Sequence, residues 1–333
     1  SLSTDSLTLK QGISGQGILN LQPLTTARNL TVGGNSVDNS GLNLHGDIFG
    51  GNLVKDGFKL VYIGREDGTG TVTVSGDLNF VDPTTIRMAG KQGQVIVKEN
   101  AGVQTSGNDF TITTENLTTE KNSQISTGKG AYTMQADRID LQGKTYGEGS
   151  LNIMPYDLTR NINLGGNKTA DSLWLNREWF SGSGKLFYGY YDINIGNADG
   201  TGRLRTGSVD FDAYVHLIQA INNQSTGEIS VSGEINTHGK DYTVSSRQVI
   251  FDDAHINADG TEKNGDITIE ADSITNVNNS STIKGHGNLT IGTYSVDKAI
   301  KRLRGGKKTV SEFAGILYHL ITDNQLFERV REQ

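Results

Sequence analysis

Apolar and polar residues alternate with a period of two over much of the chain. Clear examples are GTVTVSGDLNF (70–80), GQVIVKE (93–99), GEISVSGEI (227–235) and GDITIEADSI (265–274). This period places every second side chain on the same face, which is typical of β-strands that are buried on one side. The 43 glycines allow sharp turns between such strands, and the 3 prolines leave few breaks in a strand ladder. The pattern therefore predicts an all-β fold.

Two long stretches of the chain are copies of each other. IGREDGTG at 63–70 returns as IGNADGTG at 195–202, so the residue numbers of the two copies differ by 132. GQGILNLQP at 15–23 returns as GEGSLNIMP at 147–155 with the same offset, and a third copy begins at GHGNLTIGT (285–293). A repeat of this size is too long for one structural rung, so we expect each copy to contain about six coils of about 20 residues.

We therefore predict a parallel β-helix, or β-solenoid, over residues 1–295. It contains two repeats, at about 15–146 and 147–284, and the opening strand of a third. Inward side chains of each strand are expected to stack on their counterparts in the next coil, about 4.8 Å away. Asp-Gly and Asn-Gly pairs are expected to form the corners.

The pattern changes in the tail of the chain, at residues 296–333. Thr309 and Glu312 form a capping-box signature ahead of an apolar stripe with helical spacing. The stripe includes Phe313, Leu317, Leu320 and Ile321. We predict a C-terminal α-helical segment that covers the last coil or takes part in assembly. The basic run KAIKRLRGGKK (298–308) is either a solvated face or a contact with an anionic membrane surface or polysaccharide.

Composition and charge narrow the range of functions. The formal net charge is −7 at pH 7, which argues against a general nucleic-acid partner. No apolar run approaches the roughly 20 residues of a membrane-spanning helix, so we expect no membrane span. The chain has no cysteine, which excludes disulfides and a catalytic thiol. It opens SLSTDSLTLK without a methionine, and we interpret it as processed or cut from a longer protein.

Candidate catalytic and metal-binding residues are sparse. Asp67 and Asp199 of the repeated Asp-Gly pair are expected to form corner turns, because no tandem calcium repeat and no EF-hand surrounds them. The acidic group Asp252, Asp253 and Asp259 keeps open the alternative of a polysaccharide-processing enzyme with paired carboxylates. We expect no cofactor and no metal. The histidines stand singly and are expected at the surface: His45, His216, His238, His255, His286 and His319.

One aromatic segment stands out in an otherwise aromatic-poor chain. It is SLWLNREWFSGSGKLFYGYY (172–191), and the equivalent part of the first repeat, 41–64, has far fewer aromatic residues. The rings either form an internal stack or flap, or they form an exposed patch that contacts sugar or protein. The alternative of a carbohydrate-binding module depends on which of them face solvent. The candidate interaction residues are Trp174, Trp179, Tyr188, Tyr190 and Tyr191.

The repeats resemble those of filamentous-haemagglutinin-type large exoproteins of Gram-negative bacteria and cyanobacteria. The resemblance is carried by LNLQP, an Arg, a Gly-Gly and IGREDGTGTVTVSG in the first repeat, and by LNIMP, LGG and INIGNADGTG in the second. It covers roughly residues 7–293. It implies a right-handed parallel β-helix, usually secreted through an outer-membrane partner transporter, that acts as an adhesin or display stalk. The Asn-Pro and Asn-Thr motifs of the family's secretion domain are not found here, so the chain corresponds to shaft.

On this resemblance we expect a non-enzymatic structural or adhesive protein that is secreted or held on the bacterial cell surface. Its expected partners are copies of itself or adjacent β-helix coils, and host or cell-surface polysaccharide or protein. The N-terminal stretch SLTLKQG (6–12) looks like a strand without a cap. Because an uncapped strand edge pairs readily with another strand, we expect residues 1–11 to join a neighbouring chain head to tail or to pair with upstream sequence.

Overall fold

The computed structural model describes residues 1–34, 41–222 and 227–293. Within these ranges the fold is all-β, with three short 3-10 helices at Gly46–Ile48, Arg177–Trp179 and Gly182–Gly184. In chain order the strands are β1 (Leu2–Ser3), β2 (Ile18–Gln22), β3 (Leu30–Gly33), β4 (Leu42–Leu44), β5 (Leu60–Arg65), β6 (Thr71–Ser75), β7 (Asp77–Asn79), β8 (Thr84–Met88), β9 (Gln94–Val97), β10 (Gly102–Gln104), β11 (Phe110–Thr119), β12 (Gln124–Gly128), β13 (Tyr132–Leu141), β14 (Lys144–Gly147), β15 (Ser150–Met154), β16 (Asn161–Leu164), β17 (Ser172–Leu175), β18 (Phe187–Tyr188), β19 (Asp192–Asn197), β20 (Arg203–Thr206), β21 (Val209–Asp210), β22 (Tyr214–Gln219), β23 (Glu228–Asn236), β24 (Tyr242–Ser246), β25 (Gln248–Asn257), β26 (Ile267–Glu270), β27 (Ser273–Val277), β28 (Thr282–Lys284) and β29 (Leu289–Gly292).

The α-helical segment expected at 296–333 lies outside the described residues. The same holds for the basic run 298–308, for His319 and for the four assembly candidates Phe313, Leu317, Leu320 and Ile321.

The described chain divides into two compact units. The first consists of Ser1–Asp157 together with the short stretch Lys185–Tyr191. The second begins with Leu158–Gly184 and resumes at Asp192. The stretch Lys185–Tyr191 therefore belongs to the first unit although the chain on both sides of it belongs to the second.

The first unit is a parallel β-solenoid. One ladder runs β1-β2-β5-β8-β11-β13-β15, a second runs β4-β3-β6-β9-β11, and a third runs β7-β10-β12-β14-β18. Neighbouring strands are parallel in each ladder. The chain passes from ladder to ladder within each coil, so each coil adds a rung to the stack.

The coils of the first unit differ in length. Register partners along the first ladder are Leu19, Val61, Thr84, Phe110, Tyr132 and Leu151. One repeat, from Leu19 to Leu151, therefore takes five steps of unequal length rather than about six even ones. The first step, from Leu19 to Val61, is by far the longest, because the chain leaves the coil to form β4 and the 3-10 helix Gly46–Ile48. We call residues 41–59 the first excursion.

The interior of the first unit is filled by stacked apolar side chains. Phe80 stacks on Phe110 with ring centroids 5.8 Å apart, and Phe110 stacks on Tyr132 at 5.7 Å. Phe49, from the first excursion, meets Phe80 edge-on at 5.1 Å. All four rings are buried, and such pairs add to the free energy gained by burial alone. The first excursion is therefore part of the hydrophobic core.

The second unit is also a parallel β-solenoid. One ladder runs β19-β22-β24-β26-β29, and another runs β17-β16-β20-β23-β25-β27, with β21 beside β23 and β28 beside β25. The register step from Ile162 to Leu204 spans the same number of residues as the step from Leu19 to Val61. Between Ile162 and Leu204 the chain forms β17 and the other two 3-10 helices. We call residues 172–191 the second excursion.

The two Asp-Gly pairs form corner turns, as expected. Asp67 follows β5 and Asp199 follows β19, and each lies in a turn. The glycine N–H of each pair, from Gly68 or Gly200, donates to the carbonyl oxygen three residues earlier, at 3.3 and 2.9 Å. The two corners differ in charge, because the second corner has the neutral Asn197 where the first has Arg65. Arg65 donates from Nε and Nη2 to the two Asp67 carboxylate oxygens, each at 2.8 Å. This pairing lowers the pKa of Asp67.

The threonine after each Asp-Gly pair joins its corner to an earlier corner of the same unit. Thr69 N donates to Thr26 O at 2.8 Å in the first unit, and Thr201 N donates to Leu158 O at 2.7 Å in the second. Donor and acceptor are both shifted by the repeat offset between the two bonds. The repeated tetrapeptide thus makes the same backbone connection in each unit.

The first strand of the structure lies earlier than the sequence indicated. β1 is formed by Leu2 and Ser3, which pair with Leu21 and Gln22 of β2. Residues 6–12 contain no strand, so that prediction is wrong. The backbone pairing resumes only at Ile13, which forms an isolated parallel bridge with Val54 of the first excursion, its N–H donating to Leu53 O at 2.7 Å.

Candidate functional site

The aromatic candidates of the second excursion are divided between the two units. Trp174 and Trp179 lie in the second unit, whereas Tyr188, Tyr190 and Tyr191 lie in the first. The two tryptophan rings meet edge to face at 5.8 Å, and Trp179 is buried. The indole Nε1–H of half-buried Trp174 donates to a backbone carbonyl at 2.7 Å. The tryptophans therefore pack within the second unit, and the solvent-facing tyrosines lie in the first.

A backbone ladder holds the stretch Lys185–Tyr191 on the first unit. Its strand β18 pairs with β14, which places Phe187 beside Thr145 and Tyr188 beside Tyr146. Thr145 N also donates to the carbonyl of Leu186 at 2.8 Å. Phe187 and Thr145 point inward and are buried, so the alternation of the strands directs Tyr188 and Tyr146 outward.

A glycine pair and a buried ring fix the end of this stretch. Gly189 has φ +81°, and a Cβ at this position would overlap the carbonyl oxygen of Gly147. Tyr190 is buried, and its ring occupies the space that a side chain at position 147 would need. Burial raises the pKa of Tyr190. Tyr190 is thus an anchor for the stretch, whereas its neighbour Tyr191 is 64% exposed.

Tyr146 and Tyr188 form a stack on the outer surface, which we call the tyrosine ladder. Their ring centroids are 5.3 Å apart with an interplanar angle of 21°. The ammonium groups of Lys144 and Lys185 lie 5.5 and 5.2 Å from the centroid of the Tyr188 ring, within cation–π range. The Tyr188 hydroxyl donates to the Lys185 carbonyl oxygen at 3.0 Å, which fixes the ring position.

The rest of this outer sheet face is polar. One column continues from Tyr146 to Ser126, Gln104 and Asn79, and the parallel column runs Lys144, Gln124, Gly102 and Asp77. Tyr146 is 36% exposed, and Ser126 is too short to cover a phenol ring on the side away from Tyr188. Within these two columns the one acid, Asp77, is three strands from Lys144. The face is therefore aromatic and cationic at one end and neutral or acidic at the other.

Sequence reasoning found Tyr188 but missed Tyr146. Tyr146 lies in the short run KTYG, where the alternation alone predicts an outward side chain. Its partner Tyr188 lies far along the chain, beyond β15, β16 and β17, and only the coil register brings the two rings together. The sequence therefore indicated that Tyr146 points outward, but it did not indicate that Tyr188 lies beside it.

Two of the three acidic residues considered for catalysis, Asp253 and Asp259, lie beside histidines. Asp252 and Asp253 are exposed on β25, and an Asp253 carboxylate oxygen lies 3.4 Å from His255 Nε2. Asp259 lies 3.0 Å from His286 Nδ1. Across residues 1–34, 41–222 and 227–293, no three or more His, Cys, Asp or Glu side chains are grouped so that they could hold a metal ion.

His216 departs from the expected surface position. His216 lies in β22, half-buried, with Nε2 2.7 Å from Ser245 Oγ. Burial lowers the pKa of His216, so the neutral imidazole is favoured. Among the residues that the structure describes, no helix has the length and apolar character needed to span a membrane.

The class of protein that these features define is a parallel β-solenoid with an outer aromatic and cationic face. No protein-family model matches the chain, and comparisons with curated proteins and with solved structures find no match. The assignment of the fold class therefore rests on the strand ladders of the structure.

Proposed function

We propose that the chain is a non-enzymatic structural and adhesive protein of the filamentous-haemagglutinin type. In this role it forms a β-helical shaft or filament subunit that is secreted to the bacterial cell surface and assembles head to tail. The observation that carries the proposal is that both units use their inward strand positions for continuous apolar stacks and repeat the same corner bond. Repetition of this kind is typical of proteins that extend a binding or spacing surface.

The ladder ends support the assembly part of the proposal. β1 is the terminal strand of the first ladder, and it contacts β2 on one side. A parallel strand beside β1, from upstream sequence or from another chain, continues the ladder by the hydrogen-bond pattern already present. When that strand comes from another chain, the head-to-tail contact does not close on itself, so it leads to filaments.

Light scattering and electron micrographs test this proposal on the full chain. We expect scattering mass to rise with protein concentration, micrographs to show linear assemblies, and antibodies to label intact cells of the source organism. A monomer at every concentration, combined with labelling only after cell permeabilisation, would contradict the proposal.

A polysaccharide-processing enzyme is the rival from another class. The exposed carboxylates of Asp252 and Asp253 are the groups on which it depends. Incubation of the chain with a panel of polysaccharides, followed by an assay for new reducing ends, distinguishes the two. Release of reducing ends that Asp252→Asn and Asp253→Asn abolish would favour the enzyme.

A further inference from the structure

We propose that the tyrosine ladder, together with Lys144 and Lys185, is a binding site for a polysaccharide made of uronic acids. This inference rests on the proposed surface role and gives it a site and a ligand class. It combines three observations: an exposed ring face, two ammonium groups beside the stacked rings, and a backbone pairing that fixes the strands that carry them.

The exposed ring provides the sugar-binding part of the site. Tyr146 stacks on Tyr188 with one face, and its other side borders the short side chain of Ser126. A pyranose ring presents a flat face of C–H groups, which packs well on a tyrosine ring of this exposure. Because a tyrosine has only two side-chain torsions, the contact area costs little conformational entropy.

The two lysines select for a negative charge on the sugar. Lys144 belongs to the same strand as Tyr146, and the ammonium group of Lys185 lies 5.2 Å from the centroid of the Tyr188 ring. A carboxylate on a sugar bound at this face is attracted to these ammonium groups, and charged hydrogen bonds of this kind are stronger than neutral ones. The chain as a whole is acidic, with a net charge of −7, so a polyanion has no general attraction to it.

Contacts within the chain hold the residues of the site in place. Tyr188 is fixed by its hydroxyl hydrogen bond and by the β14-β18 pairing. The buried Tyr190 and the glycine pair Gly147 and Gly189 hold the following residues. A ligand therefore does not have to order the site, which leaves more of the contact energy for affinity.

The second unit contains a similar cluster that serves as a matched control. The Tyr214 ring has Lys240 and Lys263 at 5.3 and 5.4 Å from its centroid. The contact with Tyr214 raises the pKa of Lys263, and the charges of Asp241 and Asp266 add to this shift. A uronic acid polymer is thus expected to bind at the first cluster and not at the second.

The test is calorimetric titration of the full chain with polygalacturonate and with the same polymer after complete methyl esterification. We expect binding of the acid form, weakened by salt, and at least tenfold weaker binding of the ester. Tyr146→Ala should weaken binding about tenfold, because it removes one aromatic contact. Tyr146→Phe should keep it, Lys144→Gln should weaken it, and Tyr214→Ala should leave it unchanged.

Several outcomes would overturn the inference. The first is that the acid form of the polymer does not bind. The second is that the methyl ester or dextran sulfate binds as tightly as the acid form. The third is that Tyr146→Ala and Tyr214→Ala weaken binding of the acid form equally. Circular dichroism and thermal unfolding establish that each variant is folded, and Lys144→Gln keeps the test valid if the alanine variant is not. Unchanged light scattering in a chain that fails to bind would refute the inference while leaving the proposed assembly intact.

Discussion

Asp82 holds the first excursion on the coil beneath it through an imperfectly satisfied carboxyl group. The residue is 4% exposed, and its Oδ1 accepts a hydrogen bond from Gly57 N at 2.8 Å. Its Oδ2 is buried and makes no hydrogen bond within the described residues. Burial raises the pKa of the Asp82 carboxyl, the Gly57 N–H partly opposes the shift, and the charge of Asp56 adds to it.

These features predict that Asp82→Asn stabilises the protein at neutral pH. A pKa above the unfolded value means that the folded chain holds the proton more tightly. This contribution to stability is complete below the unfolded pKa of about 3.9 and is lost as the pH rises through the folded pKa. Asparagine keeps an oxygen for Gly57 and cannot ionise. We expect a gain of about 1 kcal/mol at pH 7, the lower end of the cost of an unsatisfied buried polar group.

Urea unfolding followed by circular dichroism between pH 3 and 8 measures this gain. The difference between Asp82→Asn and the unmodified chain should shrink towards zero as the pH approaches 3. Asp77→Asn, an exposed change on β7, is the control and should have little effect. A less stable Asp82→Asn at pH 7, or a difference that does not depend on pH, would show that the ionised carboxylate is satisfied in the fold.

Three further changes test other parts of the structure. Gly64 (φ +91°) and Gly196 (φ +104°) occupy equivalent positions at which a Cβ would overlap a carbonyl oxygen of the next coil. Replacement of either glycine by alanine should lower the free energy of unfolding, measured with a chemical denaturant, by about 3 kcal/mol. Gly50 also has a positive φ but has open space around it, so Gly50→Ala should lower the free energy of unfolding by only about 1 kcal/mol. Tyr190→Phe should leave the free energy of unfolding nearly unchanged, because the Tyr190 hydroxyl has no hydrogen-bond partner of good geometry in the described chain. Tyr190→Ala should lower the free energy of unfolding by about 3–5 kcal/mol, because it leaves a cavity. Equal losses of stability in the two variants would contradict the anchor role. A chelator should leave the melting temperature unchanged, since no acidic cage surrounds the Asp-Gly corners in the described residues; a fall of about 10 °C would contradict this.

The strands were predictable because burial alone decides their alternation. In TVTVS (71–75) and QVIV (94–97) every second residue is a valine, and these valines are at most 1% exposed in β6 and β9. A shift of one residue would expose the whole apolar set, so the pattern specifies which face points inward. The repeat offset was equally visible, because it needs only a comparison of the sequence with itself.

The coil register was not predictable from the same pattern. Pairing of one strand with the next depends on how many residues each corner and excursion contains, and alternation carries no information on that length. In the first ladder the longest step between register partners, Leu19–Val61, is more than twice the shortest, Tyr132–Leu151. The burial of the individual tyrosines in YGYY (188–191) was not predictable from alternation either. The positive φ of Gly189 breaks the alternation, so that Tyr190 is buried next to the exposed Tyr191.

Both excursions end in the first unit at the same combination of a glycine and a buried aromatic ring. Gly15 leaves room for the ring of Phe58, and its counterpart in the second repeat, Gly147, leaves room for the ring of Tyr190. Both rings are buried, and in each case the residue before the ring is a glycine with positive φ. The repeat therefore preserves the glycine and aromatic anchor by which an excursion rejoins the coil.

The outward positions beside this anchor are where the two copies differ. Tyr146 and Tyr188 of the tyrosine ladder correspond, at the repeat offset, to Ser14 and Asp56. All four positions lie in the first unit, and Ser14 and Asp56 are exposed. Packing does not require tyrosine at these positions, because the first copy keeps the same anchor with a serine and an acid. Since the anchor does not depend on the two outward rings, they are the residues that can carry a binding function which Ser14 and Asp56 lack.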